Sequence, residues 1–292
     1  MKKILFIAFG IATIFSSCDV LEGPFDEQVA IDTTSGPKRK ILLEDFTGHT
    51  CGNCPCAGKE AARLDSIYHG RVIVVAEHVG FFADPYGSGT KFRSDFKTQA
   101  GEEVSTSFDI GCNSCGIGLP AGMVNRTKYN NDRVLSSTAW SSAIGTILAD
   151  TSKPTADITI AATYNSANRT ASVEVNSKYL KAGNSNHQLV VYVVEDSVIN
   201  WQKFYASCSP TGADIDVPNF VHRHMLRGSI NSTWGEVLYS SGSTIPVGTS
   251  VNKAYTKILD NAWDEKHIYF VAFIQDNVTK EVVQVEEVKL IE

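Results

Sequence analysis

Two cysteine pairs of the same spacing carry the chemistry this sequence could do: Cys51-Gly52-Asn53-Cys54 and Cys112-Asn113-Ser114-Cys115. Such a pair can cycle between dithiol and disulfide, offer two thiolates to a metal, or brace its own turn. The first pair follows an apolar segment, Ile41 to Phe46, that reads as a strand. It precedes a stretch from Cys56 to Tyr68 in which Ala57, Ala61, Leu64 and Ile67 recur at helical spacing. A helix start presents unsatisfied N–H groups and the positive end of its dipole, and both stabilise a thiolate. Cys51, taken as the nearer to that start, is the expected attacking thiol, with Cys54 resolving. His49 either adds positive charge there or is a solvated loop histidine. As a brace for its own loop the pair is inefficient. Closing about four residues restricts the unfolded chain by only ~2 kcal/mol, against ~4 kcal/mol for a link closing about 60 residues.

The elements that would hold these cysteines alternate in type up to residue 150. Arg71 to Val79 is an apolar, β-branched run expected as a buried parallel strand, with Glu77 and His78 at its exposed tip. A loop over Phe81 to Thr90, a helix within Lys91 to Phe108, a strand at Ala121 to Arg126, a turn at Asn130 to Asp132 and a helix from Thr138 to Ala149 complete an α/β domain with a mixed sheet. After Lys153-Pro154 the helical pattern stops. Ile158, Ile160, Ala162, Val173 and Val175 alternate with polar residues, Leu189 to Val194 and Ile268 to Ile274 are denser apolar runs, and Glu281 to Leu290 alternates again. Roughly seven strands over about 140 residues suggest an antiparallel sandwich.

The N-terminus sets the compartment. Lys2 and Lys3 precede an apolar run from Ile4 to Phe15, at about 12 residues too short for a membrane span of roughly 20 and suited to a signal peptide. Ser16-Ser17-Cys18 follows, the pattern at which lipoprotein leaders are cut. Residues 1–17 are therefore expected to be removed and Cys18 to carry the lipid that anchors the chain to a membrane. Residues 18–38, acidic and punctuated by Gly and Pro, read as a flexible tether. The chain has 26 basic and 32 acidic side chains, a net charge of −6; without Lys2 and Lys3 it has 24 against 32, or −8. That balance argues against nucleic acid as a partner. Export places the remaining cysteines in oxidising surroundings.

Glu44-Asp45-Phe46-Thr47-Gly48-His49-Thr50-Cys51-Gly52-Asn53-Cys54-Pro55 resembles the thioredoxin active-site segment, and more closely its version in the outer membrane protein 28-related lipoproteins of Bacteroidetes. Gly118-Leu119-Pro120-Ala121-Gly122-Met123-Val124-Asn125-Arg126 is similar to the thioredoxin segment where a cis-proline faces the cysteines. His222-Arg223-His224-Met225-Leu226-Arg227 with Trp234-Gly235 looks like the C-terminal signature of that lipoprotein family. The resemblance implies a thioredoxin-like domain over 39–152, an immunoglobulin-like sandwich over 153–292, and the cell envelope at the outer membrane as location. It also implies Cys51 and Cys54 as the redox pair, with Pro120 as the cis-proline beside them, where a substrate peptide would pair.

Cys56, Cys112 and Cys115 are extra to that pattern. With the loop before Pro120 packed as in thioredoxins, five cysteines should gather in one region. Three readings follow: a second dithiol that relays disulfides with exported polypeptides, a zinc or copper(I) site of Cys51, Cys54, Cys112 and Cys115, or plain disulfides bracing an inactive domain. Oxidising surroundings favour the last, and with it a non-catalytic binding or assembly role needing no cofactor. Cys208 has no evident partner in the sequence. His222 and His224, two apart, would share a strand face. Phe81, Phe82 and Tyr86, with Trp201, Phe204 and Tyr205, are candidate aromatic loop contacts. Replacing Cys18 with Ser is expected to abolish incorporation of labelled fatty acid and to move the protein from the membrane fraction to the soluble one; unchanged labelling would refute the anchor.

Overall fold

The sheet runs across the boundary expected at residue 153. A computed structural model describes residues 36–292 except 87, 88, 90 and 113. Cys18, the leader and most of the tether lie outside the described residues. In chain order the elements are β1 (Ile41–Thr47), α1 (Cys54–Ile67), β2 (Val72–His78), α2 (Gln99–Ser107), β3 (Ala121–Val124), α3 (Ser137–Leu148), β4 (Ala156–Asn165), β5 (Thr170–Tyr179), β6 (Gly183–Asn184), β7 (His187–Glu195), β8 (Val198–Phe204), β9 (Ile215–His222), β10 (Met225–Ser229), β11 (Glu236–Val237), β12 (Thr244–Ile245), β13 (Ser250–Ile258), β14 (Ile268–Asp276) and β15 (Val282–Lys289).

One mixed sheet has the order β15-β14-β7-β10-β2-β1-β3, with β11 added to β7. β1 and β2 are parallel, as their unbroken apolar runs imply, and β3 is antiparallel to β1. The join between the halves is narrow. Met225 of β10 pairs with Ala76 of β2, and the Ala76 N–H donates to the His224 carbonyl at 2.8 Å. The described residues form one compact unit.

The second half is layered as its alternation implies. β4, β5 and β13 form an antiparallel sheet. Their inward residues, Ile158, Val173 and Val175, share a core with Leu189, Val191 and Val193 of β7 and Phe270, Ala272 and Ile274 of β14. The intervening residues of those same strands, Val190, Tyr192, Val194, Val271 and Phe273, face the other way and pack with Leu42, Ile73, Val75 and Leu226. β7 and β14 are thus buried on both faces, which is why their apolar runs are dense rather than alternating. The helix expected within 91–108 is shorter. It begins at Gln99, where the Thr98 hydroxyl caps the Gly101 N–H at 3.0 Å.

A buried ion pair ties the layers together. The Arg126 guanidinium, fully buried at the end of β3, donates to both oxygens of Glu44 on β1, with Nε–Oε2 at 2.8 Å. It also donates to Gln275 Oε1 of β14 at 2.7 Å. The rings of Phe108, Trp234 and Phe273 lie 5.4–5.9 Å from its central carbon. Arg126→Met would leave Glu44 buried without its counter-charge. Urea unfolding is expected to show a loss of about 3–5 kcal/mol; a loss under about 1 kcal/mol would show that the pair does not tie the layers.

Candidate functional site

β1 delivers the first cysteine pair into a tight turn. The Cys51 N–H donates to Gly48 O at 3.0 Å and the Cys54 N–H to Cys51 O at 3.2 Å. α1 starts at Cys54, with Pro55 in its first turn and Asn53 preceding it without a side-chain cap. Cys54, not Cys51, is therefore the cysteine nearer the helix start, and it is so even counted from the start expected at Cys56. The two sulfurs form a disulfide with Cα atoms 5.4 Å apart. Cys51 is 3 % exposed and Cys54 2 %.

That burial comes from a hairpin the sequence did not reveal. Among the described residues β8 and β9 pair only with each other, and they lie across the turn. The Lys203 N–H donates to His49 O and the Tyr205 N–H to Gly52 O, both at 2.9 Å. Gln202 Nε2 donates to Cys51 O at 3.1 Å. The approach is so close that a Cβ on Gly52 would sit 2.4 Å from the Tyr205 ring. Trp201 and Phe204, expected in loops, belong to β8. A second disulfide, Cys56–Cys208, ties α1 to the segment just after β8 across 152 residues. By loop length it restricts the unfolded chain by ~5 kcal/mol, more than twice the contribution of the first pair. Parity could have found it: once each Cys-x-x-Cys closes on itself, Cys56 and Cys208 remain.

The third disulfide, Cys112–Cys115, closes its own half-exposed turn. That turn lies against Gly80, whose added Cβ would meet Gly111 O at 1.9 Å. The structure thus brings Cys51, Cys54, Cys56 and Cys208 to the start of α1 and puts Cys112 and Cys115 on a separate loop. In this oxidised state the four sulfurs of the metal reading are all in disulfides and offer no thiolate. The Leu119–Pro120 bond is cis and leads into β3, whose Ala121 pairs with Phe46 of β1.

Behind Cys54 lies a cavity of about 210 Å³, lined among others by Asp45, Ala61, Ala76, His78 and His222. Asp45 is the site residue that sequence reasoning missed. Its Oδ1 has no hydrogen-bond partner among the described residues, and burial pushes its pKa up to about 7. The signal was two adjacent acids in an apolar strand, since alternation must send one to each face. Glu44 meets Arg126 and Asp45 meets the cavity.

Glu77 and His78 are not an exposed tip: both are buried. Burial, followed by the neighbouring Glu44 carboxylate, holds the Glu77 pKa well above its ordinary value. His78 packs against Phe96 and His222 at ring distances of 5.2 and 5.3 Å. Burial and then the adjacent His222 hold its pKa well down. His49, for which a solvated loop position is one of the two readings from sequence, is 1 % exposed, and its Nε2 lies 3.2 Å from Asp84 O. Burial lowers its pKa too, and pushes that of His222 down to about 4. His222 ends β9 while His224 sits in the link to β10 at φ +50°, so the two do not share a strand face.

Residues 114–292 match the family model of the outer membrane protein Omp28. The chain belongs to that family. Membership assigns it to the cell envelope at the outer membrane. The matched span contains Pro120, Arg126, Cys208 and His222, whereas Cys51, Cys54 and Cys56 precede it. Among solved structures, HBP35 of Porphyromonas gingivalis is similar at 19 % identity and TM-score 0.63, over 88 % of this chain and 77 % of that one. A protein from Agrobacterium tumefaciens is similar at 13 % identity and TM-score 0.51, over 88 % and 97 %. At these identities the likeness is one of fold. A domain of the lipoprotein Omp28 from Porphyromonas gingivalis shares 22 % identity over 49 % of this chain and 93 % of its own, at TM-score 0.30. No curated protein matches this sequence.

The histidines make a pH signature. The folded pKa of His222 lies below its unfolded value near 6.5, so below that pH the unfolded chain takes up a proton that the folded chain refuses. Stability from this group is full above about 6.5 and is lost as pH falls towards about 4. Asp45 has the opposite sense, contributing below its unfolded pKa and losing that contribution as pH rises towards about 7. His222→Gln isolates the histidine. Relative to the parent, the variant is expected to gain up to about 3 kcal/mol in urea unfolding between about pH 7 and pH 4; a parallel pH profile would refute the assignment.

Proposed function

We propose that this outer-membrane protein is a lipid-anchored binding or assembly module whose Cys51–Cys54 disulfide is shut in rather than turned over. The observation that carries this reading is the hairpin β8–β9 seated on the turn that holds the pair. Disulfide exchange needs a thiolate to reach a sulfur, and both sulfurs belong to residues almost wholly excluded from solvent. The β1–α1–β2 unit and the cis-proline before β3 support a thioredoxin-like origin for residues 39–152. The layering of β4, β5 and β13 on β7, β14 and β15 supports an immunoglobulin-like one for 153–292, here joined into a single sheet. Anchorage would be through Cys18 after removal of residues 1–17.

Asp45 favours a second reading, a thiol–disulfide protein acting on exported polypeptides through Cys51 and Cys54, with Pro120 beside them. A carboxyl that exchanges its proton near neutral pH and shares a cavity with Cys54 is suited to moving a proton to and from that sulfur. The two readings differ in access. Cys54→Ser leaves Cys51 as a lone thiol while Cys56–Cys208 stays closed. Its alkylation by iodoacetamide, followed by mass spectrometry, is expected to be at least about a hundredfold slower in the native protein than in urea. Alkylation at the unfolded rate would sink the shielded reading and favour exchange.

A further inference from the structure

The hairpin that covers Cys51 is fastened by a disulfide with one exposed member, Cys56, and one buried member, Cys208 at 5 % exposure. Cys56 is exposed, in the first turn of α1, while Cys51 and Cys54 are buried beneath β8. Among the described residues the hairpin has no other strand beside it, and a lone two-stranded hairpin is only marginally stable. Near the turn it is held by the bonds to His49, Gly52 and Cys51 carbonyls described above, and by one covalent link, Cys56–Cys208.

We propose that Cys56–Cys208 is the disulfide at which this protein meets external dithiols, and that its reduction releases the β8–β9 hairpin and uncovers Cys51–Cys54. This rests on the shielded pair and adds the condition under which the shield lifts. A thiolate of the dithiol attacks the sulfur of Cys56, the exposed member of the pair. A new S–S bond forms there, and Cys208 leaves as a thiolate that takes up a proton. The second thiolate of the dithiol then attacks its own partner sulfur, closing the dithiol's disulfide and expelling Cys56. That step is helped because Cys56 leaves from a helix N-terminal turn, where the thiolate is stabilised. Two electrons pass from the dithiol to Cys56–Cys208. The segment after Tyr205 is then free of α1, and the hairpin is held over Cys51 by hydrogen bonds and packing alone. Cys51–Cys54 becomes the second disulfide in an ordered pair, reachable only after the first has been reduced.

Graded dithiothreitol with differential alkylation and mass spectrometry tests the order on the intact protein. Cys56–Cys208 is expected to open first and Cys51–Cys54 only in molecules that have lost it. In Cys56→Ser/Cys208→Ser, Cys51–Cys54 is expected to be reduced at least about tenfold faster than in the parent. Reduction of Cys51–Cys54 before or together with Cys56–Cys208 in the parent protein would overturn the proposal, and that measurement stands even where the double variant fails to fold. Adding Cys54→Ser to the double variant separates the two ideas. If Cys51 alkylates freely with Cys56–Cys208 intact, the shield itself is wrong. If it is protected with the link intact and equally protected without it, the shield stands and the latch is wrong.

Discussion

The guanidinium of Arg126 has no solvent to fall back on, and the strands around it are placed to satisfy it. Asn125 and Arg126 both adopt left-handed backbone, at φ +48° and +52°, which turns the chain sharply after β3. The Asn125 side chain accepts from Leu42 N at 2.7 Å, and its carbonyl accepts from Val282 N at 2.8 Å. These residues therefore tie β1 to the start of β15 while Arg126 reaches Glu44 and Gln275. Removing a buried charge from water costs several kcal/mol, and it is tolerated here because the counter-charge and hydrogen bonds are in place. Glu77 completes the arrangement. With its pKa held well up, it adds no second carboxylate charge beside Glu44.

The same strand then sets the cysteine turn. Glu44 faces the ionic junction and Asp45 faces the cavity behind Cys54, so the residue that binds the two halves and the residue that could move a proton are neighbours in the chain. Any shift of β1 that loosened Glu44 from Arg126 would also displace Asp45. β2 repeats the arrangement with Glu77 towards the junction and His78 towards the cavity, where it meets His222 from the hairpin. The cover over the disulfide is thus supported from below by aromatic and imidazole packing.

Much of the first half was legible because its signals are local. β1, α1, β2, β3 and α3 follow from runs and periods that no distant contact overrides, and the turn at Asn130 and Asn131 takes the positive φ that asparagine tolerates. What was hidden is long-range or atypical. β9 carries Pro218 and the polar residues Asp216 and Asn219, and proline within a run argues against a strand. Its partner β8 mixes Trp201, Gln202 and Lys203 because one side lies on the turn and the other is wet. The burial of His49, Glu77 and His78 could not be read either, since that hairpin and α2 cover them from far along the chain. No local pattern announces that one strand, β10, will join β2 to β7 within a single sheet.

The Cys56–Cys208 link also bears on how the molecule is made. A chain crossing a membrane N-terminus first presents Cys56 to oxidants 152 residues ahead of its partner, and the Cys112–Cys115 pair emerges in between. Joining cysteines in order of arrival would give Cys51 to Cys54, then Cys56 to Cys112 and Cys115 to Cys208. The native connectivity is nested instead, with one short loop enclosed by the long one. Reaching it requires either that Cys56 stay unpaired until Cys208 arrives or that an early pairing with Cys112 be exchanged afterwards.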